Sequence, residues 1–131
     1  MPIKESYEKA LHQAAESAPY YRLLQLTLER IDTGFARFRM PFRSELTQVY
    51  GLVHGGAIAS LADTAVAFAL MTLVQPGERV TTVEFKINYL RPVSKGEMFA
   101  RNKNWQNAAG SGLVSDSISD MKSPINIMQN G

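Results

Sequence analysis

Apolar positions recur at helical spacing first, then in alternation. Tyr7, Ala10, Leu11, Ala14 and Ala15 fall three and four apart and stop before Pro19, which predicts an N-terminal helix within residues 1–18. Residues 26–29 alternate, Thr33-Gly34 is a turn signal, and residues 36–40 alternate again before Pro41, so this stretch predicts a hairpin. A polar loop at 44–48 leads into Gly51-Leu52-Val53-His54-Gly55-Gly56, and from there a run of small apolar residues predicts one long helix over 55–74, ending near Gln75-Pro76-Gly77. Val83, Phe85, Ile87 and Tyr89 alternate with Glu84, Lys86 and Asn88, the clearest strand in the chain, closed by Arg91-Pro92. Further strands are expected within 98–105, 113–118 and 125–128. Five of the six asparagines lie after Ala100, and asparagine is a poor strand former, so this last part of the sheet is expected to be short and frayed.

An antiparallel sheet that follows one apolar helix must wrap around it to bury it, which gives an α+β domain. The 131 residues suffice for a single such domain with a real core and are too few for two. With 45% hydrophobic and 20% charged residues the composition is that of a globular protein, which excludes disorder and low-complexity architectures.

Composition narrows the chemistry. There is no cysteine, so no disulfide, thiolate nucleophile or cysteine-based metal site, and only His12 and His54 remain as imidazole ligands. No metal and no cofactor is expected. The run 57–74 is long enough to raise the question of a membrane span, but a central Asp costs roughly 2.5 to 3.5 kcal/mol on insertion scales. It is read as a buried core helix, with no membrane partner. The N-terminus lacks the apolar core of a signal peptide, and a cytoplasmic location is the default expectation. A formal charge of +2 is too mild to argue for nucleic acid. Arg37, Arg39 and Arg43 interleave with Phe35, Phe38 and Phe42, a pattern shared by nucleic-acid faces and by half-buried strands with a solvated outer side. The strand reading is the plainer one. A further option is that scattered arginines meet the phosphates of a nucleotide-tailed substrate such as coenzyme A.

Asp63 is the only charge on the long helix. A buried carboxylate without a partner costs several kcal/mol, so Asp63 is the first candidate for chemistry. A helix that starts at Gly55 or Gly56 presents unpaired N–H groups and the positive end of its dipole, a site for a carbonyl gaining negative charge, and the glycines let a substrate approach the backbone. A tight turn with no ligand is the alternative. Gly55 and Asp63 are separated by eight residues, so on one helix they lie roughly 12 Å apart. One reacting carbonyl cannot touch both. If both act, one chain supplies the N–H and a two-fold related chain supplies the carboxylate, which predicts an obligate homodimer with composite sites. The small residues Ala59, Ala62 and Ala65 are expected to form the face where the two helices approach. His54 is open to three roles: a base, an orienting donor or acceptor, or a satisfied loop histidine. A Ser60, His54, Asp63 triad fails on spacing, because Ser60 and Asp63 are i, i+3 neighbours and the acid would meet the serine and leave the histidine out. Neither phosphate-loop nor dinucleotide fingerprints occur.

The segment from Val53-His54-Gly55-Gly56 to Asp63, followed by Val80-Thr81-Thr82-Val83-Glu84-Phe85-Lys86-Ile87-Asn88-Tyr89-Leu90-Arg91-Pro92, resembles the phenylacetate-degradation type of hotdog-fold acyl-CoA thioesterase. The likeness covers roughly residues 20–96. It implies a hotdog fold, with the long helix as the sausage and the antiparallel sheet as the bun, paired into a dimer and in some members again into a tetramer. It implies hydrolysis of an acyl- or aryl-coenzyme A thioester, with Asp63 as general base or nucleophile and the Gly55 N–H polarising the carbonyl. The family's water-positioning hydroxyl maps to Thr82. Alternation places Thr82 on the Glu84 and Lys86 side and Thr81 on the apolar side, so Thr81 is kept as the alternative. Six residues before the histidine the family commonly has Asn; here Gln48 keeps the amide on a longer arm. His54 and Gln48 join the catalytic set, and Gly56, Thr81 and Arg91 the substrate-binding set.

Two other functions fit the same segment. A hotdog hydratase or dehydratase would share proton transfer between His54 and an acid at an acyl carbon. A non-catalytic module would bind an acyl-CoA or metabolite without turning it over.

Overall fold

The computed structural model describes residues 3–75, 77–82, 87–89, 91–101, 111–117 and 124–130, the last two stretches as backbone. Helix α1 (Glu5–Ser17) buries Leu11 and Ala15 and carries Glu5 and Glu8 in its first turn, where the helix dipole favours acids. Ala18 is extended, as a residue before proline must be, and Pro19 then starts a second helix, α2 (Pro19–Leu24), with the proline in the first turn. The sequence predicts the stop at Pro19 but not this restart. A proline whose missing N–H falls where a helix has no partner for it opens a helix as readily as it closes one.

The hairpin forms as expected. Strands β1 (Thr27–Asp32) and β2 (Phe35–Pro41) pair antiparallel across the Thr33-Gly34 turn, where Gly34 has φ 70°. Glu29 is the extra residue of a bulge between Leu28 and Arg30. On β2 the inner residues Ala36, Phe38 and Met40 are fully buried and alternate with half-buried Arg37 and Arg39. The carboxylate of Glu29 lies 3.0 Å from Arg37 Nε and 3.4 Å from Arg39 Nε, and Arg39 continues to Glu97 at 3.2 Å. The Arg37 guanidinium sits 4.5 Å from the centre of the Phe99 ring. The arginine and phenylalanine interleaving is thus a strand with its charges matched on the sheet.

Helix α3 (Gly55–Met71) lies against this sheet and buries Ile58, Leu61, Ala62, Ala65, Val66, Phe68 and Ala69. Phe68 meets Phe38 edge to face, centroids 4.9 Å apart. The helix stops three residues short of its expected end at 74. Thr72 turns its hydroxyl back onto the Ala69 carbonyl and receives the Gly34 N–H, while Leu73 N–H bonds the Leu70 carbonyl in a tighter turn. Ala62 and Ala65 point into the core, at 1% and 0% exposure, so they do not form the face open to a second helix. Strand β3 (Glu97–Arg101) pairs with β2, with Met98 and Ala100 on the buried side. Strands β4 (Ser111–Ser117) and β5 (Pro124–Asn130) pair along their full seven residues, and β4 packs beside β3. Asn126 and Asn130 are within that ladder, where cross-strand pairing overrides the weak propensity of asparagine. The predicted strand over 83–89 falls largely outside the described residues, and Thr81, Thr82 and Ile87 to Tyr89 belong to no strand.

Candidate active site

The loop before α3 is pinned at each step. Thr47 and Val53 form an antiparallel bridge, Gln48 N–H bonds Leu52 C=O at 2.7 Å, and Gly51 closes the turn at φ 78°. Val53 N–H reaches Val93 C=O and His54 N–H reaches Leu46 C=O. His54 therefore arrives in a fixed place as the residue capping α3. Its Nδ1 accepts the Gly56 N–H at 2.8 Å, the work that Asn, Asp or Ser does at most helix starts. Of the three roles open to His54 in the sequence, the cap is the one visible here, and it engages Nδ1.

The peptide groups that follow are almost fully occupied. In the Gly55–Gly56 peptide the N–H goes to His54 and the C=O receives the Tyr89 hydroxyl at 2.7 Å. In the next peptide the Gly56 C=O receives the Ser60 hydroxyl at 2.8 Å, whose oxygen also pairs with the Tyr20 hydroxyl at 2.6 Å, and the Ala57 N–H returns to His54 C=O. The Gly55 N–H alone is left without a partner among the described residues of this turn. Gly56, assigned to substrate binding from the sequence, gives its N–H to the cap. Both glycines are crowded by their neighbours. A Cβ on Gly55 would lie 3.0 to 3.3 Å from three atoms of the Tyr89 ring end, and one on Gly56 would lie 2.9 Å from His54 Nδ1.

Gly55 opens onto a cavity of about 280 Å³ lined also by Gln48, Ile58, Tyr89 and Arg91. The Gln48 side-chain oxygen accepts the Tyr50 N–H, which folds the amide onto its own loop and leaves its NH₂ without a partner among the described residues. Arg91 is exposed at the rim. The cavity thus gathers donors: a backbone N–H, an amide NH₂ and a guanidinium. That set suits an electron-rich oxygen or an anionic tail.

Asp63 and Thr82 do not line this cavity. Asp63 is half-buried in the middle of α3, and its Oδ1 accepts the Thr82 hydroxyl at 2.6 Å. Thr81 is exposed. Ser60, the i−3 neighbour expected to meet the acid, is turned to Gly56 and Tyr20. Tyr21 of α2 packs edge to face on Phe68, centroids 5.8 Å apart. Burial, and then the Asp63 charge, raise its phenol above the usual value. The chain therefore holds two separate groups of polar residues: donors around Gly55, and a carboxylate with its hydroxyl partner further along the helix. Tyr21 and Tyr89 were missed as site residues from sequence. Tyr89 had the better signal, since it closes the alternating strand two positions before Arg91. Among the described residues no three His, Asp or Glu side chains come together to hold a metal ion. No helix there is long and apolar enough to cross a membrane.

A profile of the thioesterase superfamily matches residues 50–101. A Saccharolobus solfataricus protein named as a candidate esterase is 30% identical over 96 residues, which cover 72% of this chain and 68% of that protein. The proofreading thioesterase EntH of Klebsiella pneumoniae is 33% identical over 75 residues, 57% of this chain and 55% of the relative. The chain spans about half the length of the first curated relatives it matches, 50% and 55%. Among solved structures, the E. coli PaaI protein from the phenylacetic acid degradation operon superposes with a TM-score of 0.77 at 23% identity, over 94% of this chain and 88% of that one.

Proposed function

The chain belongs to the thioesterase superfamily and has its hotdog fold, and from that premise we propose that it hydrolyses an acyl- or aryl-coenzyme A thioester at sites shared between two protomers. One observation carries the reading: in a helix start whose other polar groups are engaged, the Gly55 N–H alone has no partner among the described residues, and Gly55 lines a cavity with Gln48 and Arg91. A thioester carbonyl seated on the Gly55 N–H is polarised by that bond and by the helix dipole. Water attacks the carbonyl carbon and gives its proton to Asp63. The tetrahedral oxyanion is held at Gly55, the C–S bond breaks, and the leaving thiolate takes the proton that Asp63 gained. If Asp63 attacks directly, a mixed anhydride forms and water opens it; the same two groups serve. In either route the Thr82 hydroxyl holds one carboxylate oxygen and so orients the other. Gln48 and Arg91 bind toward the thioester sulfur and the phosphate-bearing tail.

Asp63 and Gly55 are separated by two turns of α3, so the carboxylate that meets a thioester at one Gly55 comes from the partner. The open stripe of α3 that would face it runs through Gly56, Ser60, Asp63 and Ala67 rather than the buried alanines. A homodimer is the minimal active unit, and tetramers are dimers of such dimers.

The test is thiol release from a panel of acyl- and aryl-CoAs. Asp63→Ala should abolish turnover, and equal rates in both proteins would remove the assignment. Gly55→Pro removes the N–H at a helix position where proline is tolerated, and Gly55→Ala controls for the Cβ that both variants place against Tyr89. Their ratio is expected at about 10²-fold or more, the usual cost of losing one oxyanion donor. Hydration of an enoyl thioester with the thioester left intact would identify a hydratase, and binding without turnover a non-catalytic module.

A further inference from the structure

We propose that Tyr89 is a positioning residue for this reaction: its hydroxyl holds the Gly55–Gly56 peptide and thereby aims the neighbouring Gly55 N–H. The inference rests on the reading of that N–H as the oxyanion donor. Two consecutive glycines open α3, and glycine fixes its backbone least of all residues, at a cost of about 1 kcal/mol relative to alanine within a helix. A donor in such a turn swings unless something outside the helix holds it, and a misplacement of about 1 Å is worth about 10²-fold in rate.

The structure supplies a clamp on both ends of one peptide plane. His54 Nδ1 takes its N–H at 2.8 Å, and Tyr89, which comes from a segment 34 residues further on, gives its hydroxyl to its C=O at 2.7 Å. The preceding plane, which carries the free N–H, is held by its own carbonyl, the acceptor of Ala57 N–H at 2.9 Å. Because the two planes meet at the Gly55 Cα, fixing both fixes the direction of the N–H between them. The Tyr89 ring also stands 3.0 to 3.3 Å from where a Gly55 Cβ would be, so it fills the space through which the glycine would otherwise move. Tyr89 is half exposed and lines the cavity beside Gln48 and Arg91, which is an unusual place for a tyrosine kept only for packing.

Tyr89→Phe keeps the ring and removes the hydroxyl. Turnover is expected to fall about tenfold with KM changed less than twofold, while thermal stability stays close to wild type. The Gly55 and Gly56 amide signals should shift in the same variant, and the Gly56 N–H should exchange faster with solvent. Wild-type kcat in Tyr89→Phe alongside an inactive Asp63→Ala overturns the positioning role and leaves the thioesterase reading intact. Unchanged Gly55 and Gly56 amides overturn the clamp whatever the assay gives. An inactive wild-type protein with altered amides in Tyr89→Phe removes the thioesterase reading and supports the clamp.

Discussion

At position 54 a histidine does the work that an asparagine or serine does at most helix starts, and the neighbouring glycine decides how much that is worth. His54→Ala strands the Gly56 N–H and should cost about 1 kcal/mol, a fall in Tm of about 3 to 4 °C, whereas His54→Asn should recover most of it. Gly56→Ala pushes the same imidazole off its donor, since the new carbon would lie 2.9 Å from Nδ1. It also gains up to about 1 kcal/mol of helix propensity, so its net effect on stability should be near zero. Thermal melts of the three variants check the order. At this scale the sequence was informative where identity alone carries meaning. A lone Asp63 on an apolar run and a double glycine at its start are visible without coordinates. The partner of Gly55 was not, because the Tyr89 hydroxyl comes from another segment and no local spacing links the two. Ser60 is a similar case: its i+3 neighbour is Asp63, but Tyr20 and the Gly56 carbonyl claim its hydroxyl.

At the scale of elements, alternation and helical spacing located β1, β2 and α3 because each buries one clear face. Pro19 was legible as a break and not as a beginning, and the bulge at Glu29, which brings its carboxylate to Arg37 and Arg39, has no signature in the pattern. The junction of α3 with β2 rests on Phe68 against Phe38, both almost completely buried. Phe68→Ala should cost about 3 to 5 kcal/mol, a large part of the total for a domain of this size, readable from denaturant midpoints. The same ring supports Tyr21, and α2 together with the segment carrying Tyr89 makes the fold sensitive to alkali. Burial raises both phenols, Tyr21 further through Asp63, above the ordinary 10.0. The folded state then holds protons that the unfolded chain gives up first. The stability tied to these phenols is complete below about pH 10 and is lost as pH rises through the folded values. Tm should therefore drop above pH 10, and less steeply in Tyr21→Phe than in wild type.

For the whole molecule, the proposed homodimer, with each site shared between Gly55 of one protomer and Asp63 of the other, sets what mixing should do. Asp63→Ala and Gly55→Pro chains are each expected to be inactive alone. Unfolded together and refolded at equal amounts, they should recover about a quarter of wild-type activity, because half the dimers are mixed and each mixed dimer holds one intact site of two. No recovery, with mixed dimers verified by mass, would remove the shared site. The spacing of Gly55 and Asp63 along α3 also has a genetic reading. Beside a wild-type copy, a chain damaged at either residue alone spoils one site of a mixed dimer, so total activity should follow gene dosage at about half. A chain damaged at both residues spoils both sites of every mixed dimer and leaves about a quarter. Two lesions that are each recessive on separate chains become dominant when a single helix carries them both.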